Sequence, residues 1–269
     1  MFKILILALV QGLTEFLPVS SSGHLALISH FLPKTPDEFY LAVFLHGGTL
    51  LATIIYFWPD IVRIFTGLRL RSEEGAKSRG YLTAIIVGSI PVAVFGLLLK
   101  KQAESIFTSL PLLAVMFLIT GLVLAVASLK NSPRSSLPLE GGGKVGVINP
   151  FRAFIIGCAQ LVAVLPGISR SGSTISAGLI SGLSRQEAFR FSFLLSLPAV
   201  AGAFLVEIPM GLPGGLKPGN SPVSLLLGFV VSCLVGLLAL HILRRLVLAG
   251  RLAWFSVYLL VLGLFTVFL

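Results

Sequence analysis

A chain of 269 residues with 56% apolar side chains, 11% charged ones and a mean hydropathy of +1.01 has too little polar surface to cover a soluble globule, so a bilayer is its solvent. The net charge of +10 invites a nucleic-acid reading, but the basic residues lie between apolar segments instead of along one face, which excludes it. Cys158 and Cys233 sit in apolar stretches without CxxC spacing, so they read as buried thiols and not as a disulfide or metal framework.

The chain opens with MFKILILALVQG, which imitates a signal peptide but is followed by no A-x-A-like cleavage site and is expected to stay in the protein. A helix over residues 2–16 puts Gln11 and Glu15 four apart, on one face, running toward a break at Pro18. A second helix is predicted to start within SSSGHLALISHF, where serine is a favoured N-cap and where His24 comes back over Ser20 and Ser21. Residues 1–31 are therefore expected to form a re-entrant helical hairpin. Apolar windows of spanning length follow at 39–58, 81–99 and 110–129.

Residues 131–150, NSPRSSLPLEGGGKVGVINP, form a Pro, Gly and Ser-rich linker that divides the chain almost in half. Beyond it the pattern repeats. Gln11, Ser20, Ser22 and Gly23 recur 149 positions later as Gln160, Ser169, Ser171 and Gly172, and the segment 151–183 is interrupted at Pro166-Gly167. Three more windows follow at 191–210, 223–243 and 252–269. The expected architecture is an all-α polytopic membrane protein with six full transmembrane helices plus two re-entrant hairpins, in one integral membrane domain. Residues 1–130 form the first repeat and 151–269 the second. Three crossings is an odd number, so the second repeat enters from the opposite side, an inverted-topology repeat whose hairpin tips meet near the midplane. Fourteen Lys and Arg fall in loops on one face against five on the other, which makes the basic face cytoplasmic and places both termini outside.

The tips carry the chemistry. Two serine-capped helix N-termini facing each other attract an anion, and Arg170 in PGISRSGST adds a planar fork suited to phosphate oxygens. Ser169, Ser171 and Ser173 lie at that helix start, with Thr174 one turn on. Together these groups describe a phosphate or diphosphate site. A bare anion site has no use for Glu15, which repels phosphate unless a proton or cation intervenes. It either holds a divalent cation together with the substrate's oxygens or acts as a base. Ser20, Ser21 and Ser22 are caps, with one of the three a candidate nucleophile. His24 is either catalytic or satisfied by neighbouring hydroxyls. His46 is expected to pack, and His30, His241 and Glu207 to reach the interface. Neither tip is a Walker A loop or a GxSxG elbow.

Laid out this way, QGLTEFLPVSSSGH and PGISRSGST closely resemble the two signatures of the bacterial undecaprenyl-diphosphate phosphatase family, integral membrane enzymes linked to bacitracin resistance. The resemblance covers nearly the whole chain. It implies removal of the terminal phosphate from a C55 polyprenyl diphosphate with Mg2+ or Ca2+, recycling the lipid carrier for cell-wall synthesis. Glu15 is then the essential carboxylate, Ser21 the candidate nucleophile, His24 an acid or base and Arg170 the phosphate clamp. Ser20, Ser22, Ser169, Ser171 and Thr174 support the substrate, and any protein ligands to the cation come from Glu15 and Gln11. Many members carry Glu at the position of Gln11, so here Glu15 must act without a second carboxylate. The resemblance further implies a homodimer in the bacterial plasma (inner) membrane with an outward-opening site. Attack by Ser21, by His24 or by water all stay open. The competing reading is a transporter or flippase of a phosphate-bearing lipid; the set Glu15, Ser21 and His24 distinguishes the two, because an anion carrier needs neither base nor nucleophile.

Overall fold

The computed structural model describes residues 2–31, 38–99, 109–130, 148–211 and 222–269. Most of the expected linker, residues 131–147, lies outside these, as do Lys34, Lys100, Lys101, Arg134, Lys144, Lys217 and the side chain of Glu207.

Eleven α-helices and one 3-10 turn account for the described chain, with no strand among the described residues. Helix α1, Phe2–Phe16, stops two residues short of Pro18, whose ring cannot continue it, and α2 comes next at Ser21–Phe31. Helix α3, Glu38–Tyr56, breaks at Phe57 and resumes, bent by 61°, as α4, Trp58–Gly67, with Pro59 in its first turn. Helix α5, Glu73–Phe95, is capped by Ser72, whose hydroxyl accepts from the Gly75 N–H (3.4 Å), and runs into the 3-10 turn Gly96–Leu99. Helix α6 is Leu110–Lys130. Helix α7, Pro150–Val162, begins behind Asn149, which accepts from the Arg152 N–H (2.8 Å). Helices α8, Arg170–Ile180, α9, Arg185–Gly211, α10, Pro222–Leu248, and α11, Ala253–Val267, complete the chain.

Helices α5, α6, α9 and α10 are each long and apolar enough to cross a membrane, and the bent pair α3–α4 makes a fifth candidate. The protein is therefore a multi-pass α-helical membrane protein. Two of the six expected windows differ in detail. The window at 39–58 ends in the α3–α4 bend, and the one at 252–269 becomes the 15-residue α11, roughly 22 Å long.

Packing obeys membrane rules, with small and polar residues inside and aliphatic rows outside. Ile86, Ile90 and Val94 on α5 and Val257, Val261 and Leu264 on α11 are exposed at helical spacing. Inside, the Ser232 hydroxyl of α10 donates to Leu45 O of α3 (3.0 Å) and Ser256 of α11 to Gly121 O of α6 (2.7 Å). Helix α1 lies on α10, α7 on α5, and α11 on α6, while α10 also packs on α3 and α9 on α5. The α5–α7 crossing depends on bare backbone: a Cβ on Gly157 falls 2.1 Å from Gly88 O. Gly157→Val is expected to destabilise the fold by about 1 to 3 kcal/mol, read as a lower unfolding midpoint in detergent. Gly80→Ala, where an added Cβ meets nothing within 4 Å, should not lower that midpoint.

At the end of the bundle carrying the basic loops, Arg190 of α9 pairs with Asp60 of α4 (2.7 Å) and Glu187 (3.7 Å) and lies over the Tyr81 ring of α5. This fastens the amphipathic α4 to the bundle.

Candidate active site

Each interrupted segment ends in a turn whose backbone is held by the other. After α1 the chain reverses at Ser20, which takes a left-handed φ of 69°. The Ser20 hydroxyl accepts from Gly23 N–H (3.3 Å), as a cap does, and also from Gly167 N–H (3.1 Å) of the second tip. That second tip turns at Gly167, φ 87°, and α8 starts behind Ser169, whose hydroxyl accepts from Gly172 N–H (3.1 Å). Thr120 of α6 donates to Gly167 O (3.0 Å) and accepts from Ser169 N–H (3.3 Å), while the Ser171 hydroxyl donates to Leu17 O (3.3 Å). Two polar links, Gly167 to Ser20 and Ser171 to Leu17, thus weld two turns that are about half the chain apart, and Thr120 ties the second turn to α6.

The weld brings Glu15 and Arg170 into contact. Arg170 Nη2 pairs with Glu15 Oε1, and Glu15 Oε2 accepts from Ser21 Oγ (2.5 Å) and from Gln11 Nε2 (3.0 Å). The acid is largely enclosed, its side chain 8% exposed, whereas Arg170 borders a cavity of about 320 Å³. Glu15, Ser20, Ser21, Ser22, Ser169 and Arg170 line that cavity, and Val92, Ala199, Val200, Ala203 and Phe204 give it an apolar side.

Four residues expected in the site stand behind this lining. Gln11 is fully buried and holds Glu15 from below. His24 turns away: its Nδ1 donates to Ser20 O (2.8 Å), leaving Nε2 to accept from the Tyr258 hydroxyl of α11 (2.6 Å), and its ring stacks on Tyr258 and meets the edge of Phe117. Ser171 is buried against Leu17. Thr174, also buried, donates to Arg170 O (2.8 Å) and meets Ser192 of α9 (2.5 Å), so it orients the helix start that carries Arg170.

Besides Thr14, two polar residues outside the expected set line the cavity. His46 on α3 has Nδ1 bonded to Ala42 O (2.8 Å), and its Nε2, free to accept a proton, lies 3.9 Å from Glu15 Oε2. An ionisable group inside a bilayer is a functional candidate by default, which is the signal the sequence offers for it. Gln160, the repeat counterpart of Gln11, is the other. His30 and His241 are exposed, in keeping with an interfacial place.

The donor set bears on a cation. Among the described residues no cluster of three His, Cys, Asp or Glu exists, and Glu15 is the one carboxylate lining the cavity. These residues fit a cation shared with the oxygens of a bound diphosphate and do not fit a cage built by protein alone.

The chain matches the family described as bacitracin resistance protein BacA over residues 4–265. It is 42% identical to an undecaprenyl-diphosphatase of Desulfosudis oleivorans over 96% of this chain and 94% of that protein. Undecaprenyl-diphosphatases of Treponema denticola (39% identical, 98% of this chain and 95% of the relative) and Methanococcus vannielii (38%, 98% of each) are similar throughout. Because the match runs through both welded tips and every helix between them, the chain belongs to the bacitracin resistance protein BacA family.

Proposed function

We propose that this protein hydrolyses undecaprenyl diphosphate to undecaprenyl phosphate and inorganic phosphate, returning the lipid carrier to cell-wall synthesis. The observation that carries the reading is the serine–carboxylate–guanidinium contact: Ser21 Oγ donates to Glu15 Oε2 at 2.5 Å while Arg170 sits on the other oxygen. An incoming terminal phosphate draws the Arg170 fork onto its own oxygens, which frees Glu15 to act as a base. Ser21 Oγ then attacks phosphorus, its proton passes to Glu15, and the P–O bond to the bridging oxygen breaks, releasing the prenyl monophosphate. Water next attacks the phosphoserine. Glu15 returns its proton to Ser21 Oγ, and the proton of the water goes to His46 Nε2. His24, with both ring nitrogens engaged, fixes the Ser20 turn and acts as a positioning residue.

Glu15 would hold a divalent cation together with the substrate's own oxygens, and the ion would supply neutralisation of phosphate charge. Membrane placement is part of the same proposal: six crossings, with α3 and α11 counted, two re-entrant hairpins and an inverted repeat. Supporting it, the α1–α10 packing has its counterpart in α7–α5, and α3–α10 in α9–α5. Loop charge supports a cytoplasmic basic face with both termini outside, and the family resemblance supports a site that opens outward. A flippase would use Arg170 but has no use for a serine hydrogen-bonded to a carboxylate.

Purified protein in detergent with undecaprenyl diphosphate and Mg2+ or Ca2+ is expected to release inorganic phosphate, and EDTA to stop it. Intact diphosphate in that assay, with the lipid moved across liposomes, replaces the phosphatase reading by the flippase one. Full turnover in chelator removes the cation from the mechanism.

A further inference from the structure

Gln160 is only 2% exposed, yet neither its Oε1 nor its Nε2 has a hydrogen-bond partner among the described residues. A buried amide left this way destabilises a protein unless something else meets it. The repeat explains how it came to be unpartnered. In the first half the amide of Gln11 is held by Glu15, four residues on; four residues on from Gln160, at the position equivalent to Glu15, stands Val164. Gln160 and Val164 both line the cavity. They belong to the α7 arm, which packs on α5 and so shares a wall with Val92, whereas Glu15 and His46 come from α1 and α3.

The cavity therefore has a charged wall where a serine meets a carboxylate and a neutral wall where one amide stands among aliphatic groups. A diphosphate needs both. Its terminal phosphoryl group must face Ser21 Oγ and Arg170, which leaves the inner group one bridging oxygen away, with fewer charges and an attached isoprenoid. A neutral N–H donor suits that group: a second cation would grip the monophosphate product after cleavage, while an amide lets it leave. Val92 and Val164 beside it suit the first isoprene units. We propose that Gln160 Nε2 donates to the inner, prenyl-bearing phosphoryl group and so holds the substrate by the phosphate that is not transferred. This rests on the phosphatase reading above.

Wild type, Gln160→Leu and Gln160→Asn are compared for turnover of undecaprenyl diphosphate and for inhibition by inorganic phosphate, which takes the terminal subsite, and by undecaprenyl monophosphate, which takes the inner one. Gln160→Leu is expected to raise KM about tenfold or more, the loss of a hydrogen bond to a charged group, with kcat little changed. Inhibition by the lipid monophosphate weakens by the same factor and inhibition by inorganic phosphate stays as in wild type. Because leucine removes the unpartnered amide, its unfolding midpoint should rise as KM rises, a combination that a purely structural role does not produce. Gln160→Asn, which withdraws the amide by one methylene, shows the same changes in KM and in inhibition if the leucine variant fails to fold. An unchanged KM in a folded variant, or equal weakening of both inhibitors, overturns the proposal. Absence of turnover in wild type overturns the phosphatase reading instead, and direct titration of wild type and variants with undecaprenyl monophosphate still decides the role of Gln160.

Discussion

Glu15→Gln is expected to lower kcat by about 10³-fold, within the range that general-base removal produces, without raising KM. The amide keeps the shape of the side chain and can still accept from Ser21, but it cannot take that proton. It also releases Arg170, which in the wild type is paired with Glu15 Oε1 and must be drawn off by substrate. Freed of that competition, the guanidinium binds a diphosphate at least as well as before, so kcat and KM part company. Steady-state phosphate release over a range of substrate concentrations separates the two parameters, and a variant retaining more than about a tenth of wild-type kcat removes Glu15 from the proton transfer. The uncompensated cation also lowers stability. Breaking a fully enclosed pair costs about 3 to 5 kcal/mol, and less is expected here because Arg170 borders the cavity.

Arg170→Ala should reduce turnover by about 10² to 10³-fold, as removal of a preorganised donor from a developing anion does. Arg170→Lys should restore little, since an ammonium is a point charge on a flexible stem and cannot present two parallel N–H groups to phosphate. Here KM rises as well, because the guanidinium meets ground state and transition state alike. The double variant with Glu15→Gln should be no worse than the poorer single one: the two side chains act as one unit, and their losses do not add. Additive losses in that cycle would show two independent roles and break the scheme.

Local chemistry makes the hairpin tips legible in the sequence. Pro18 and Pro166-Gly167 cannot sit in a straight helix, the serines beyond them cap new helices, and the 149-residue repeat pairs the tips, so contact between Glu15 and Arg170 is an expectation of the residues themselves. The features that escape depend on partners far along the chain. The spacing of His24 from Ser20 places its ring over the turn, as found, but nothing local reveals that Tyr258, 234 residues on, takes its other nitrogen and turns it from the cavity. Thr174 faces Ser192 on α9 for the same kind of reason. His46, expected to pack, is an isolated histidine in an apolar helix and carries no local sign of which neighbour it will meet. Pro59 is visible just beyond its window, yet the 61° bend beside it is set by where α4 finds a surface to lie on, with Asp60 reaching Arg190.

The links between the tips also constrain biogenesis. Ser20 waits for the amide of Gly167, and Leu17 O for the hydroxyl of Ser171, groups that leave the ribosome long after the first hairpin has reached the membrane. During that interval the nascent first half must keep its polar turn wet or shielded by the insertion machinery, because hydrocarbon offers it no substitute partner. Catalytic competence therefore arises late and all at once in translation. A chain stalled before the second tip is expected to be inactive, since Arg170 and the Gly167 N–H both belong to that tip.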